Sequence, residues 1–342
     1  MANTSVNINC TEEGTSLDSQ PLHQAAVMLL VVAAPVLLLC GTFGNVMTMV
    51  VMRGMRAEQS TVCMPIYFTA LAVSDLSVLL IGLPRHWALY VFGFDLRVLS
   101  DSTCKIHKFL TYVLGQISAW LLVVMTSQRV TSVVWPLKVC LQGTRRKALL
   151  TVSLIVCTSL LYNSSILFSH SVSVFGSCTP KVCSIALTDS TFRYVELFLW
   201  LDIAMFSVIP FCILCICNIV LLWKVTQSVR TARGMTGPGH VNPRAKRASS
   251  LTVIIVTTSA AFLVLTLPSC VIPVYIHTQN VTAVEDIQSR AKLSLATAVS
   301  VLLWYCNCSV NFYLYCLSGT KLRNEAKTKL MSVMLMCNFR QV

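Results

Sequence analysis

Charged side chains are scarce in this chain. Asp, Glu, Lys and Arg make up 11% of its 342 residues, whereas hydrophobic residues make up 55%. Soluble domains ordinarily contain about 25% charged and about 45–50% apolar residues. This scarcity of charge excludes a soluble globular domain, and we predict an integral membrane protein.

Several other features are missing. The first 24 residues contain no Lys or Arg and no apolar core of a cleavable signal peptide, so we expect the first apolar stretch to act as its own insertion signal. Internal repeats and matched helix breaks are absent, which disfavours a transporter or channel. The six histidines show no HExxH or paired metal spacing, so we expect no enzyme activity.

Seven apolar stretches are long enough to cross a bilayer, which takes roughly 20 helical residues. We predict an all-α membrane protein: a seven-transmembrane helix bundle with a short amphipathic cytoplasmic helix. Its regions are an N-terminus at 1–24, the bundle at 25–317 and the cytoplasmic helix and tail at 318–342. The most linker-like connection is 233–244, where Gly and Pro break any helix. The predicted spans are 25–52, 62–90, 104–133, 148–168, 194–223, 251–276 and 293–317.

The distribution of Lys and Arg predicts the orientation, because basic residues stay on the cytoplasmic side. Most of the 26 basic residues lie in the connections after spans one, three and five and in the tail. We therefore expect a plasma-membrane protein with its N-terminus outside and its C-terminus inside. The net charge of +13 fits inner loops that face anionic lipid and protein partners rather than nucleic acid. Glycosylation sequons on the expected outer side are Asn3, Asn9 and Asn280.

Four of the 16 cysteines are expected outside, in an oxidising compartment: Cys10, Cys104, Cys178 and Cys183. A bridge from Cys104, at the start of span three, to the loop after span four would hold that loop over the mouth of the bundle. Cys183 is the preferred partner of Cys104, and Cys178 is the alternative.

Asp75 is a carboxylate in the middle of span two, where an ionisable side chain requires a partner or a cation. Its candidate neighbours are Asn45, Ser118, Asn307 and Asn311. Carboxylate, hydroxyl and amide oxygens suit a small hard cation such as Na⁺. The alternative is a hydrogen-bonded polar core that only packs the helices together.

Sequence marks that follow one another in order along the spans resemble those of rhodopsin-like (class A) G-protein-coupled receptors. They are Gly44-Asn45, Leu71-Ala72-x-x-Asp75, Cys104, Arg129, Pro136, Pro210, Phe262 with Pro268, and Asn311-x-x-x-Tyr315.

The resemblance implies an extracellular ligand, a heterotrimeric G protein and a possible sodium cofactor held by Asp75, Ser118, Asn307 and Asn311. It also implies that Arg129 contacts the G protein when span six swings outward, which makes the arginine a two-state element. A snorkelling arginine that anchors span three is the alternative. The residues implied in activation are Arg129, Gln128, Pro136, Phe262, Pro268, Asn311 and Tyr315.

The sequence departs from the family pattern at several positions, and span four lacks the usual tryptophan altogether. Gln128 replaces the usual acid before the arginine, and Ala248 replaces the acid expected at the start of span six. Asn218 stands where tyrosine is common, and Thr266 where tryptophan is usual. Without either carboxylate, Arg129 is restrained less in the closed state, which predicts raised basal signalling. The alternative outcome is a signalling-dead decoy receptor.

Two ligand classes are excluded by missing side chains. Thr111 stands where amine receptors carry a carboxylate, and the middle of span seven has no lysine for a retinal Schiff base. Charged and aromatic residues favour a short peptide, whose Arg a carboxylate could bind. Alternatively, Arg85 pairs with Asp202 or Glu196 across the bundle. The candidate ligand-binding residues are Arg85, His86, Lys108, Thr111, Tyr112, Glu196, Asp202, Tyr275, Trp304 and Tyr305.

Three finer stretches are similar to invertebrate neuropeptide receptors of the FMRFamide type and related orphan receptors: LPRHW, CKIHKFLTYVLGQISAWLLVV with TSQRV, and VNFYLYCLSGTKLR. Phe312 replaces the usual proline of span seven, as it does in those receptors. The resemblance implies an amidated peptide ligand, with a chemosensory small molecule as the alternative. Basic and apolar residues then alternate in the tail, which predicts an interfacial helix with a palmitoylation site at Cys337.

Overall fold

The computed structural model describes residues 17–54, 63–135, 144–173, 181–185, 197, 200–235, 243–278 and 286–339. Within these ranges the side chains of 228–235, 243–250, 277–278, 321 and 332–339 are not described. Several predictions therefore lie outside the described part. They concern the residues Asn3, Asn9, Cys10, Pro136, Cys178, Glu196 and Asn280 and the side chains of Ala248 and Cys337.

Seven helices are long and apolar enough to cross a membrane, which confirms the predicted bundle. A further helix, Thr320–Phe339, follows span seven. The spans are the helices Pro21–Gly54, Met64–Phe92, Asp101–Val134, Arg145–Asn163, Ile209–Met235, Pro243–Thr278 and Ile287–Ser318, with span five preceded by a π-helix at Ala204–Val208.

Most helices extend beyond the predicted apolar stretches, because polar caps stabilise their first turns. Ser100 and Thr103 form a capping box at the start of span three, and the Asp286 carboxylate accepts the backbone N–H of Ser289 at 3.1 Å at the start of span seven. The predicted linker 233–244 is partly wrong, since helices cover its two ends as far as Met235 and again from Pro243.

The π-helix in span five was not predicted. Pro210 lies just after it and has no N–H to offer the carbonyl of Phe206, so the ordinary helical pairing cannot form there. Ile209 N–H instead bonds to the carbonyl of Ala204, five residues back. The bulge rotates the residues before it relative to those after it.

A disulfide joins Cys104 to Cys183 with a Cα–Cα distance of 5.5 Å, and confirms the preferred pairing. Cys183 lies in strand β2 (Val182–Ile185), which pairs antiparallel with β1 (His170–Ser173) so that His170 faces Ile185. The Asp101 carboxylate accepts the backbone N–H of Val172 at 2.8 Å. The hairpin is thus fixed to the first turn of span three, and we call this the disulfide end of the bundle. The opposite end is the Arg129 end.

Packing separates a buried core from a lipid-facing surface. Tyr67, Phe68, Leu121, Ile255 and Tyr315 form part of the largest buried cluster, which lies towards the Arg129 end. Large apolar side chains elsewhere point outward, for example Leu161, which is 75% exposed, and Phe168, which is 86% exposed. Such exposure would be unfavourable in water but is expected where hydrocarbon surrounds the helices.

Spans three and four are joined by a buried amide pair. Asn163 Nδ2 donates to Gln116 Oε1 at 2.6 Å and to the Ser159 carbonyl at 2.8 Å. Asn163 is 1% exposed and Gln116 is 5% exposed. This contact occurs in a span that lacks the usual tryptophan.

We expect Asn163→Ala to destabilise the purified protein by about 1–3 kcal/mol, because Gln116 loses its buried partner. Thermal unfolding in detergent or nanodiscs measures the effect. Ser153→Ala, on the exposed face of the same helix, should change little. An equal shift in both variants would contradict the importance of the pair.

Candidate functional site

Asp75 is the central polar group of the bundle, and it is completely buried. Ser118 Oγ donates to its Oδ1 at 2.8 Å, and Asn311 Nδ2 donates to its Oδ2 at 2.7 Å. The carboxylate thereby connects spans two, three and seven. Both partners are neutral, so they satisfy its hydrogen bonds without compensating its charge.

The other two predicted neighbours of Asp75 differ in position. Asn307 is buried in span seven, one helical turn before Asn311. Asn45 instead donates to the carbonyls of Gly41 and Cys308, each at 2.9 Å. Asn45 therefore joins span one to span seven rather than contacting the carboxylate. No described Lys or Arg lies within ion-pair distance of Asp75.

At the Arg129 end, the guanidinium of Arg129 is 5% exposed, and its Nη1 donates to Ser132 Oγ at 3.4 Å. Gln128, in the usual position of the acid, donates from Nε2 to Tyr67 Oη at 2.6 Å. Span three is thus bonded to span two through a neutral pair. Tyr315 packs edge-on against Phe68 with ring centroids 4.8 Å apart, which brings span seven to the same layer.

One departure from the family pattern connects spans five and six, and a second lies within span six. Ser259 Oγ donates to Asn218 Oδ1 at 2.7 Å, and both side chains are buried. Within span six, Thr266 Oγ1 donates to the carbonyl of Phe262 at 2.6 Å, and Pro268 follows Thr266 two residues later. Proline cannot donate to the helix, so span six is locally weakened at this point.

At the disulfide end, Arg85 makes a bidentate pair with Asp95, through Nε to Oδ1 at 2.9 Å and Nη2 to Oδ2 at 2.5 Å. Arg97 Nη2 donates to the same Oδ2 at 2.8 Å. The expectation that Arg85 pairs with Asp202 or Glu196 is therefore wrong for Asp202 and unsupported for Glu196. The guanidinium of Arg85 is instead bound by the carboxylate of Asp95, which lies in the short helical turn after span two.

The Asp95 carboxylate lies outside the spans. Burial alone would raise its pKa, but hydrogen bonds from Arg85 and then Arg97 outweigh burial and hold the pKa well below its usual range. The carboxylate is therefore ionised at any physiological pH. The cluster contains two guanidiniums and one carboxylate, and so keeps a net positive charge.

The remaining predicted ligand-binding side chains divide into two groups. His86 Nδ1 lies 2.9 Å from Tyr305 Oη, and Trp304 packs beside Tyr305 with centroids 4.9 Å apart. Lys108 Nζ lies 5.8 Å from the centre of the Tyr112 ring, and the half-buried Asp202 is close enough to act on Lys108 electrostatically.

Two predicted residues are placed differently from the rest. Thr111 Oγ1 is used by its own helix, donating to the carbonyl of His107 at 2.8 Å. Tyr275 is 53% exposed and lines an apolar groove of about 470 Å³ between spans five and six, together with Ser207 and Val271. It lies on the flank of the bundle rather than among the charged residues.

The family described as "7 transmembrane receptor (rhodopsin family)" matches residues 44–315 of the chain. The chain belongs to the rhodopsin family of seven-transmembrane receptors. It is also similar to Neuromedin-U receptor 2 of Rattus norvegicus, with 24% identity over 329 residues, covering 92% of this chain and 78% of that receptor. As a member of this family the protein is a non-enzymatic receptor that signals through G proteins in response to an extracellular ligand.

Two residues that define the disulfide end of this receptor, Asp95 and Arg97, were not predicted from the sequence. The sequence did contain a signal for this turn. Gly93 ends span two in a left-handed conformation with φ 64°, and the motif Asp-x-Arg begins two residues later. Asp95 then caps the turn Leu96–Val98 by accepting the backbone N–H of Arg97 at 3.0 Å. Only the fold shows that the same carboxylate also reaches Arg85.

We expect Asp95→Asn to destabilise the receptor by about 3 kcal/mol, because two guanidiniums lose their shared, mostly buried anion. A carboxylate with a depressed folded-state pKa stabilises above its unfolded pKa of about 3.9 and stops doing so only as pH falls through the lower folded value. The loss should therefore be the same in thermal unfolding at neutral pH and at mildly acidic pH.

The control is Asp18→Asn, which removes a carboxylate that is 76% exposed at the same end of the bundle and should have a small effect. A difference between Asp95→Asn and the wild type that disappears at mildly acidic pH would show that the Asp95 pKa is not depressed.

Proposed function

We propose that the receptor binds a short, amidated neuropeptide outside the cell and converts this binding into G-protein activation by outward movement of span six. The observation that carries the proposal is the disulfide end, where charges of both signs and aromatic rings lie around a fixed hairpin. The similarity to Neuromedin-U receptor 2, a neuropeptide receptor, also supports a peptide ligand. The ligand type that the finer sequence stretches favour is a peptide of the FMRFamide class.

In this proposal the disulfide end is extracellular and the Arg129 end is cytoplasmic. Two features support the orientation: disulfides form in oxidising compartments, and Lys and Arg are concentrated in the connections at the other end. A cation on the peptide would meet the half-buried carboxylate of Asp202, while rings of the peptide would pack near Tyr112, Tyr305 and Trp304.

Movement of span six would be controlled by the contacts that hold it closed. The Ser259–Asn218 bond joins it to span five and would break as the helices separate, and Pro268 is the natural pivot. Arg129 would then exchange its buried position for contact with the G protein. Phe262 and Tyr315 pack in the buried interior between these points, and would have to repack.

An allosteric sodium ion at Asp75 is part of the proposal. The ion would compensate the charge that Ser118 and Asn311 leave unbalanced, and its remaining oxygen ligands would come from Ser118, Asn307 and Asn311. Its chemistry is purely electrostatic: it would favour the arrangement in which spans two, three and seven converge on the carboxylate.

We expect at least one peptide of a short amidated library to activate the receptor in cells that carry a promiscuous G protein. For an Arg-containing agonist, Asp202→Asn or Glu196→Gln should lower potency roughly 10- to 100-fold, because a charge-assisted bond contributes about 1.5–3 kcal/mol. Asp18→Asn is the matched control. Unchanged potency in both variants would reject a cationic contact, and a silent library would reject the peptide class.

Raised basal activity is expected from Gln128, because an amide cannot form an ion pair with Arg129. Gln128→Glu should lower ligand-free nucleotide exchange on the G protein, since the new carboxylate would hold Arg129 in the closed state. Tyr67→Phe, which removes only the hydrogen-bond partner of Gln128, distinguishes loss of that bond from gain of an ion pair. Wild-type basal activity no higher than that of Gln128→Glu would contradict the prediction.

A further inference from the structure

The basic side chains at the disulfide end outnumber the acidic ones. Arg85 and Arg97 share the single carboxylate of Asp95. Lys108 adds a third cation, and Asp202 is the other described carboxylate that acts on it. Among the described residues of this group there are thus three cations and two carboxylates.

Lys108 has no carboxylate within 4 Å in the described part of the chain, where the ion pairs at that distance are His23–Asp18, Arg85–Asp95 and Arg97–Asp95. The charged groups that act on it are the guanidiniums of Arg97 and Arg85 and the carboxylates of Asp202 and Asp95. Its nearest described cation-binding feature is the Tyr112 ring, at 5.8 Å. The charge of Lys108 is therefore incompletely compensated, because the side chain has no ion-pair partner within this distance and is only partly exposed to solvent.

The fold directs these groups towards one place. Lys108 lies one helical turn after Cys104 on the same face of span three, directly below the disulfide that holds strand β2. The turn that carries Arg97 packs against that strand. His170, in the partner strand, has its pKa lowered to about 4 by burial, by Lys108 and by Arg97, so it is neutral and close to both cations.

The guanidinium of Arg97 still has donors to offer. Its Nε and Nη2 bond to Asp95, while no described contact uses Nη1. Its side chain is 18% exposed, three times the 6% of Arg85. Arg97 can therefore bind an incoming oxyanion without giving up its pair with Asp95.

We propose that Arg97 and Lys108 form an anion subsite beneath the hairpin, and that it takes a carboxylate of the ligand. This inference rests on the proposed function for the source of the anion. Asp202 also acts on Lys108 electrostatically, so a basic group bound by Asp202 and an acidic group bound at this subsite would belong to the same part of the ligand. The excess positive charge at this place favours a ligand that carries an acidic group in addition to any basic one.

Purified receptor in nanodiscs tests the subsite without agonist or G protein. The probes are the amidated dipeptides Glu-Phe-NH₂ and Gln-Phe-NH₂. In a separate arm, sodium sulfate is compared with sodium chloride at equal ionic strength. Binding to the folded state raises the Tm with the logarithm of probe concentration. At about 10 mM we expect Glu-Phe-NH₂ to raise the Tm by about 2 °C more than Gln-Phe-NH₂.

Variants assign the effect to the subsite. Lys108→Gln breaks no ion pair and should fold, and it should abolish the difference between the two dipeptides. Lys108→Arg keeps the charge and should preserve the difference. Lys105→Gln, which removes a cation from the same turn of span three, is the control and should also preserve it. Arg97→Gln should weaken the difference as Lys108→Gln does.

Three results would overturn the proposal. Equal stabilisation by both dipeptides, or a difference that survives in Lys108→Gln, would show that the ligand carboxylate does not bind here. Stabilisation by sulfate alone would show that a free inorganic oxyanion is the occupant. A failure of the peptide screen, by contrast, leaves these shifts unaffected, so the two hypotheses fail separately.

Discussion

A charge buried in a medium of low dielectric must be compensated, and this constraint governs all three polar layers of the receptor. Asp75 has two neutral donors and no described cation. Arg129 is almost fully buried beside a glutamine rather than an acid. At the disulfide end, two guanidiniums share one carboxylate. The layers at Asp75 and at the disulfide end therefore carry a charge that a partner from outside the bundle can stabilise.

These three charges point to three different partners. The family implies an extracellular ligand and a G protein, which would act at the two ends, and a cation at Asp75 is proposed between them. Span three carries a residue of every layer, namely Lys108, Ser118 and Arg129. Movement of this helix or its neighbours would therefore change the surroundings of all three layers together. In this way the binding of a ligand at one end could change the conformation at the other end.

The departures from the family pattern are structurally consistent with one another. Gln128 bonds to Tyr67, and Asn218 bonds to Ser259, so amide hydrogen bonds occupy places where other receptors use charged or aromatic groups. Such bonds contribute about 1 kcal/mol each, less than a buried ion pair would lose on being broken. A closed state held by neutral bonds is easier to leave, which is the physical basis of the prediction that basal activity is raised.

Much of the fold could be predicted from the sequence, because hydrocarbon permits few alternatives. Apolar length determined the seven spans, and the Asp75 site followed from the rarity of carboxylates inside membranes. The tertiary structure alone decided which charges meet. Arg85 could have reached toward Asp202, but the turn at Gly93 brings Asp95 within 2.9 Å. Sequence spacing determines which face of a helix a side chain occupies, whereas the partner it finds depends on how loops and neighbouring helices bring distant residues together.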